Sequence, residues 1–392
     1  MKMINNTLVL CLLISLAGCH SASPAAQPSS APEATQEPSK AEEMLTAADL
    51  PITDDVEFNS TFIKIPQQEF LDLGFQFGDS VNLRFSNGYD LIDIPFFNGY
   101  YSKPGNPVLT AYPSFDYLSF VFNFSEGSWS VCGLTDKDTA TIELNEAGKY
   151  KIIQETFSQK HSDELSDYET PEQFCNFRSI TGGTLKEGVF YRSASAINNQ
   201  MKRAVVVDQL IEKHGIKVIW DLANQPDDIG KYLADSSYST PVFSRLYENG
   251  DVVVAGLSAN LASDSFKKAL ADGLREVISK EGPYMYYCTE GKDRTGFLSI
   301  LLLALAGASF EEMEKDFAKT FEDYYHVTKE KDPEKYAAII DTYFEPFLAI
   351  ICGLEEENFE GVDYAAGAHR FLEEGGFTDT DFQRLMPLLG KE

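Results

Sequence analysis

The chain has 392 residues, of which 43% are apolar and 12% aromatic, enough for one or two folded units with ordinary cores. Its 61 acidic residues outnumber 32 basic ones, a formal charge of −29. A surface of that sign repels nucleic acid and anionic lipid headgroups, which excludes both as general partners. It also repels phosphorylated ligands, so any phosphate site has to be locally positive.

The chain opens with Lys2 and an apolar run from Leu8 to Gly18, too short for a stop-transfer span and of the length of an export signal. The run ends in Leu16-Ala17-Gly18-Cys19, which resembles the lipobox of bacterial lipoproteins. That resemblance implies cleavage before Cys19, lipid on its thiol and new amino terminus, and an extracytoplasmic protein held to the membrane by this lipid alone. The following Ser-, Ala-, Pro- and Glu-rich stretch has almost no large apolar residues and cannot offset its ordering entropy. Residues 20–50 are therefore expected to be a tether.

Between residues 51 and 157 short alternating runs are separated by turn signals. Val81 to Phe85, Leu118 to Phe122 and Thr139 to Leu144 read as strands, with Asn87-Gly88, Asn98-Gly99 and Pro104-Gly105 as turns. A small β-rich accessory domain follows. No catalytic constellation is apparent in it, and an accessory or substrate-presenting role is the expectation.

Residues 158–392 alternate strands with helices, the mark of an α/β domain with a mostly parallel central sheet flanked by helices. The pattern predicts helices over Met201 to Lys213 and Ser265 to Lys280, and strands at Lys217 to Trp220 and Tyr284 to Tyr287. It also predicts a very apolar helix from Leu298 to Phe310, packed centrally on the sheet. From Phe310 onward the pattern is helical, with acidic faces.

The chemistry concentrates at Cys288-Thr289-Glu290-Gly291-Lys292-Asp293-Arg294-Thr295-Gly296, between a strand and a helix. Five residues between Cys288 and Arg294 allow the backbone to wrap a half-ring of N–H groups around one phosphate. The helix N-terminus behind the ring adds donors and a positive dipole end. Such surroundings favour the thiolate of Cys288, the attacking nucleophile. Arg294 is placed to grip two phosphate oxygens. Thr289, Glu290, Gly291 and Lys292 complete the substrate cradle. Lys292 either adds positive charge at the mouth or is simply solvated. Thr295 either steadies the departing thiolate or caps the helix.

Cys132, Cys175 and Cys352 show no paired spacing, leaving at most one disulfide if Cys288 is free. The five histidines are scattered without ligand spacing, so neither metal nor organic cofactor is expected.

The run Cys288 to Gly296 resembles the signature loop of the bacterial tyrosine phosphatases that read Cys-x-x-Gly-Lys-Asp-Arg-Thr-Gly. Asn176-Phe177-Arg178, Gly182-Gly183 and Tyr191-Arg192-Ser193 are similar to that family's opening motif, and Gly375 to Leu389 to its closing helix. The similarity runs from about Thr170 to Leu389. It implies two-step hydrolysis of phosphate monoesters through a phosphocysteine, with phosphotyrosine in proteins as the leading substrate and inositol phosphates or phosphoinositides as the rival. A catalytically weak phospho-ligand-binding module is the third reading. The resemblance also implies Asp293 as the acid that protonates the leaving oxygen, with Asp221, Asp227 and Asp228 as alternatives. Asp221 is counted among the substrate-binding residues. Two departures stand out: Tyr287 where the family has His before the cysteine, and Ala223 where it has the Arg of an Asp-Leu-Arg strand end.

Overall fold

The computed structural model describes residues 45–56 and 58–391. The export signal, Cys19 and most of the expected tether lie outside the described residues. Seven strands close a barrel in the order β1-β2-β6-β5-β4-β3-β7. They are β1 (Thr46–Asp55), β2 (Ser60–Pro66), β3 (Ser80–Phe85), β4 (Asp90–Phe97), β5 (Pro107–Thr110), β6 (Tyr117–Phe122) and β7 (Thr139–Glu146). All neighbours are antiparallel except β4 and β5. Alternation explains the closure: on β3, Val81, Leu83 and Phe85 are buried while Arg84 is exposed. A barrel this small is filled by its own side chains, here including Ile63, Phe96, Phe120 and Ile142. Short helices α1 (Gln67–Asp72) and α2 (Ser128–Val131) cover it, and α3 (Lys151–Phe157) leads out of it.

The boundary expected at residue 50 moves. β1 begins at Thr46 and pairs Ala47 with Ile142 and Leu50 with Ala140 of β7. Ala47, Ala48 and Asp49 have too low a β propensity to announce a strand by themselves. Their partner across the barrel seam, remote in sequence, makes them one.

The second part is a mixed α/β assembly. It contains α4 (Pro171–Phe174), β8 (Arg178–Ser179), β9 (Phe190–Ser193), α5 (Ala204–Lys213), β10 (Val218–Asp221), α6 (Pro226–Leu233), α7 (Pro241–Glu248), β11 (Val252–Val254), α8 (Asp264–Val277), β12 (Tyr284–Tyr287) and α9 (Asp293–Leu305). Five more helices follow: α10 (Phe310–Tyr325), α11 (Pro333–Ile339), α12 (Glu345–Cys352), α13 (Tyr364–Glu374) and α14 (Asp379–Leu388). The strand order is β11-β10-β12-β9-β8, with β11, β10, β12 and β9 mutually parallel and β8 antiparallel at the edge.

Helices cover both faces, which is why the central strands read as continuous apolar runs. On β12, Tyr284 and Tyr286 pack among α8 and α9, while Met285 and Tyr287 pack among α5 and α7 on the other side. Helix α9 is buried from Thr295 to Leu305, as a central helix must be. It starts five residues earlier than its apolar pattern suggested. The polar first turn, Asp293 to Thr295, belongs to the helix because the loop before it ends there. Among the described residues no helix is long and apolar enough to cross a membrane. Cys132, Cys175, Cys288 and Cys352 are all free and buried.

Barrel and α/β part lie within one compact unit, residues 44–392. Phe124 packs edge-on against Phe347 and Tyr343, and Phe157 against Phe321 and Tyr343. Tyr343 donates to the Tyr100 carbonyl at 2.9 Å, and Lys103 bridges Asp341 and Glu357 at 2.8 and 2.7 Å. Phe347 sits at the centre of this contact, fully buried. Phe347→Ala is expected to destabilise the protein by about 3–5 kcal/mol. Urea denaturation followed by tryptophan fluorescence, with Trp129 against the barrel core and Trp220 in the α/β core, should show both parts unfolding earlier.

Candidate active site

Residues 288–292 leave the C-terminal end of β12 and turn directly into α9. Three carbonyls of this loop are held from outside. The Thr289 carbonyl accepts from the Ser195 N–H at 3.1 Å, and the Glu290 carbonyl from the Tyr324 hydroxyl at 3.0 Å. The Gly291 carbonyl accepts from Asn176 Nδ2 at 2.9 Å and Arg192 Nη2 at 2.8 Å. A peptide unit points its N–H opposite to its carbonyl, so anchoring the carbonyls outward turns the amides inward. Among the described residues no protein group accepts from the N–H groups of Thr289, Glu290, Gly291 or Lys292. The first N–H groups of α9 face the same side without a side-chain cap. Together they form a concave array of donors suited to an anion.

Gly291 is required by this path. Its φ is +71°, and a Cβ there would lie 2.3 Å from the Ser193 carbonyl oxygen. Behind it lies an ionic network. Asp316 receives Arg178 Nε at 3.0 Å and Arg192 Nη1 at 2.7 Å, and Thr320 and Asn176 complete the net. Burial pushes the Asp316 carboxyl up, but Arg178 and Arg192 outweigh burial and hold it below the ordinary carboxylate range. The opening motif is thus the loop's rear clamp, a role its spacing in sequence could not reveal.

Cys288 is 3% exposed at the start of the loop. Arg294, on the first turn of α9, uses only Nη1 toward protein, donating to the carbonyls of Leu222 at 3.3 Å and Leu257 at 3.0 Å. This braces the guanidinium and leaves Nε and Nη2 without an acceptor among the described residues. Thr295 is fully buried and its hydroxyl has no hydrogen-bond partner among them. The capping role is not what it performs, since Lys292 occupies the cap position.

The expected mouth charge is altered by pairing: Lys292 Nζ donates to Glu290 Oε2 at 2.8 Å. Burial disfavours the Lys292 charge, yet Glu290 and Asp293 prevail and its pKa is raised well above normal. The Glu290 carboxyl is correspondingly lowered, chiefly by Lys292. Asp293 goes the other way. Burial raises its carboxyl, with Glu290 adding to the rise and Lys292 and Arg294 opposing it.

Asp221, expected among the substrate-binding residues, is committed to the protein itself. It is fully buried at the end of β10, where its carboxylate accepts from the N–H groups of Ala223 and Asn224, from Asn224 Nδ2, and from the Tyr287 hydroxyl at 2.7 Å. All its acceptor capacity is spent locally because the chain after β10 turns back over it. Tyr287, where a His was expected, therefore ties the ends of β10 and β12 together immediately before Cys288. Burial and then Asp221 push its phenol well above 10.0, so it remains a donor. Asp228 is held by Lys231 and the Gln225 N–H, and Asp227 is exposed on the first turn of α6.

A cleft of about 980 Å³ opens above the loop, with Glu290, Lys292 and Asp293 among its lining residues. The opposite wall comes from the barrel, including Tyr100, Tyr101 and Tyr112. His161, from the segment joining the two parts, also lines it, with Nδ1 3.2 Å from Arg203 Nη2. Burial, then Arg203, lowers its pKa. The barrel wall and His161 were invisible to motif spacing, since neither lies near the signature in sequence.

Gly291→Ala should lower activity by about 100-fold through misplacement of the loop, measurable as kcat/KM on an aryl phosphate. Asp316→Asn should destabilise the protein by about 3–5 kcal/mol, because the buried Arg192 and the partly buried Arg178 lose their counter-charge. Because the folded carboxyl is depressed, the stability Asp316 supplies is present above the unfolded value near pH ~4 and is lost as pH falls through the folded one. Urea midpoints across that range should show this acid limb weakened in Asp316→Asn.

A sequence model described as the tyrosine phosphatase family matches residues 171–389, more than half of the chain. No curated protein matches it. Among solved structures, the core catalytic domain of the PP-IP phosphatase SIW14 from S. cerevisiae, in complex with citrate, is similar at 17% identity and a TM-score of 0.26. That match covers 50% of this chain and 97% of that one. TpbA from P. aeruginosa is similar at 16% identity and a TM-score of 0.23, covering 44% and 95%. With the cysteine-to-arginine loop, the donor array and the matched region coinciding, the chain belongs to the tyrosine phosphatase family and is a phosphoric monoester hydrolase.

Proposed function

We propose that this is an exported, lipid-anchored phosphatase that hydrolyses phosphotyrosine in proteins through a phosphocysteine on Cys288. The observation that carries the chemistry is the inward-facing amide array between Cys288 and α9. A phosphate seated there accepts from the loop N–H groups and from Nε and Nη2 of Arg294. The sulfur attacks phosphorus in line with the departing oxygen, and the negative charge of the transition state is met by fixed donors. Asp293 then protonates the leaving oxygen. Burial supports that role, since a carboxyl raised above its usual range keeps its proton closer to neutral pH. In the second step the same carboxylate takes a proton from water as it attacks the phosphocysteine. The thiolate released is met by the Thr295 hydroxyl, which has no other partner among the described residues.

The preference for phosphotyrosine is supported by access. Cys288 is 3% exposed, while Glu290, Lys292 and Asp293 of the same loop line the cleft. A phosphate carried on a long, flat phenol reaches such a sulfur better than one on a short serine stem. Export and anchoring rest on the lipobox-like Leu16 to Cys19 and on the acidic composition suited to extracytoplasmic solubility.

Cys288→Ser should abolish turnover of a phosphotyrosyl peptide while the variant still binds it; full activity in that variant would refute the mechanism. Asp293→Asn should lower the rate on phenyl phosphate, a poor leaving group, by about 10²–10⁴ while sparing an ester with a good one. The parent rate should fall as pH rises through the elevated Asp293 value, because the acid loses its proton. That decline should vanish in Asp293→Asn.

A further inference from the structure

We propose that the barrel is the substrate-reading half of the enzyme: Tyr100, Tyr101 and Tyr112 form an aromatic platform that takes the residues flanking a single phosphorylated aromatic side chain, and the cleft they close rejects polyphosphorylated ligands. The proposal rests on the phosphatase reading above and gives it a substrate class. Residues 171–389 carry the family match, so the barrel lies outside it.

The platform is built and held in place. Tyr100 stacks on Tyr112 with centroids 5.2 Å apart and an interplanar angle of 28°. Phe115 packs against Tyr112 and Phe58, extending the apolar surface to the cleft rim, where Phe58 is 55% exposed. Tyr101 packs on Phe157, whose ring meets Phe321 and Tyr343 of the α/β part. The Tyr343 hydroxyl holds the Tyr100 carbonyl. The wall is therefore positioned before any ligand arrives, which reduces the ordering entropy that binding has to overcome. Tyr101 also faces the catalytic loop: burial raises its phenol, and Lys292 and Glu290 act on it electrostatically.

Stacked tyrosines and an exposed phenylalanine offer ring faces and edges to aromatic or apolar neighbours of the phosphorylated residue. The charges point the same way. Lining cations are Lys160, Lys292 and, when protonated, His161, against Asp163, Glu290 and Asp293. Lys292 is already bound to Glu290. A lone phosphate is satisfied by the loop amides and Arg294, but no surplus of cations remains for further phosphates, and the chain's −29 opposes them.

The test uses the full chain and three substrates: a phosphotyrosyl peptide with aromatic flanking residues, phenyl phosphate, and inositol hexakisphosphate. For the unaltered protein kcat/KM should be highest on the peptide and lowest on the inositol compound. Tyr112→Ala and Phe58→Ala remove half-exposed rings. Each should reduce the peptide-to-phenyl-phosphate ratio of kcat/KM by about three- to ten-fold, mainly through KM. Tyr117→Ala removes an equally exposed barrel ring outside the cleft and should leave that ratio unchanged. An unchanged ratio in both cleft variants overturns the proposal while leaving the phosphatase reading intact, and so does preference for the inositol compound. Loss of the ratio in Tyr117→Ala as well overturns it by showing a general effect of the barrel surface. Failure to turn over any substrate, with no phosphate trapped on Cys288, removes the catalytic reading and this proposal together.

Discussion

The active site depends on the direction in which a few peptide units face. Amides left to themselves orient their carbonyls wherever hydrogen is available, and a loop of that kind offers an anion as many oxygens as nitrogens. Here the carbonyls of Thr289, Glu290 and Gly291 are each captured from behind, by a main-chain amide, a phenol, and a guanidinium with a carboxamide. The donors facing the cleft follow from that capture. The captor at Gly291, Arg192, is completely buried, and Asp316 supplies its counter-charge at 2.7 Å against burial and the like charge of Arg178. Isolated burial of such a group would be prohibitive, and the paired carboxylate with its hydrogen bonds offsets it. Arg192 Nε is left without a partner among the described residues, a residual cost of placing so much charge behind one turn.

The same logic explains how a strongly acidic protein handles phosphate. Positive potential is not spread over its surface but generated at one point by peptide dipoles, a helix end and one guanidinium. Two side-chain cations near the mouth are neutralised: Lys292 by Glu290, while Arg203 is absorbed by the carbonyls of Phe174 and Met201 and by Asp163. A site made of backbone donors is short in range. It holds a phosphate that is delivered to it and draws in few from afar, which gives weight to the parts of the cleft that grip the remainder of a ligand.

Those parts come from elements distant in sequence. The barrel supplies the facing aromatic wall, α3 and the joining segment supply Phe157 and His161, and α10 supplies Tyr325. Tyr287 shows how a departure from a familiar pattern is accommodated. Its hydroxyl reaches Asp221 across two parallel strands, so the strand end before the nucleophile remains braced although the ring at that position has changed. Asp221 thereby becomes a fixture of the frame, its carboxylate occupied by four donors of the protein itself.

The signature residues were legible in sequence because the loop is local: Cys288, Gly291 and Arg294 are joined by a few bonds, and strand, turn and helix patterns bracket them. The strand at Tyr284–Tyr287 was legible for the same reason, a short apolar run bounded by Gly-Pro and by the loop. What the chain could not disclose is everything set by packing between distant segments. The strand character of Thr46 to Leu50 exists only opposite β7. The duty of Asn176, Arg178 and Arg192 as a rear clamp exists only where α10 brings Asp316 to them. The pairing of Lys292, the isolation of the Thr295 hydroxyl and the raised carboxyl of Asp293 are products of burial. Burial is a property of the folded whole, so residue spacing along the chain marked out the candidate groups, and only the tertiary structure decided which of them are buried, paired or without a protein partner.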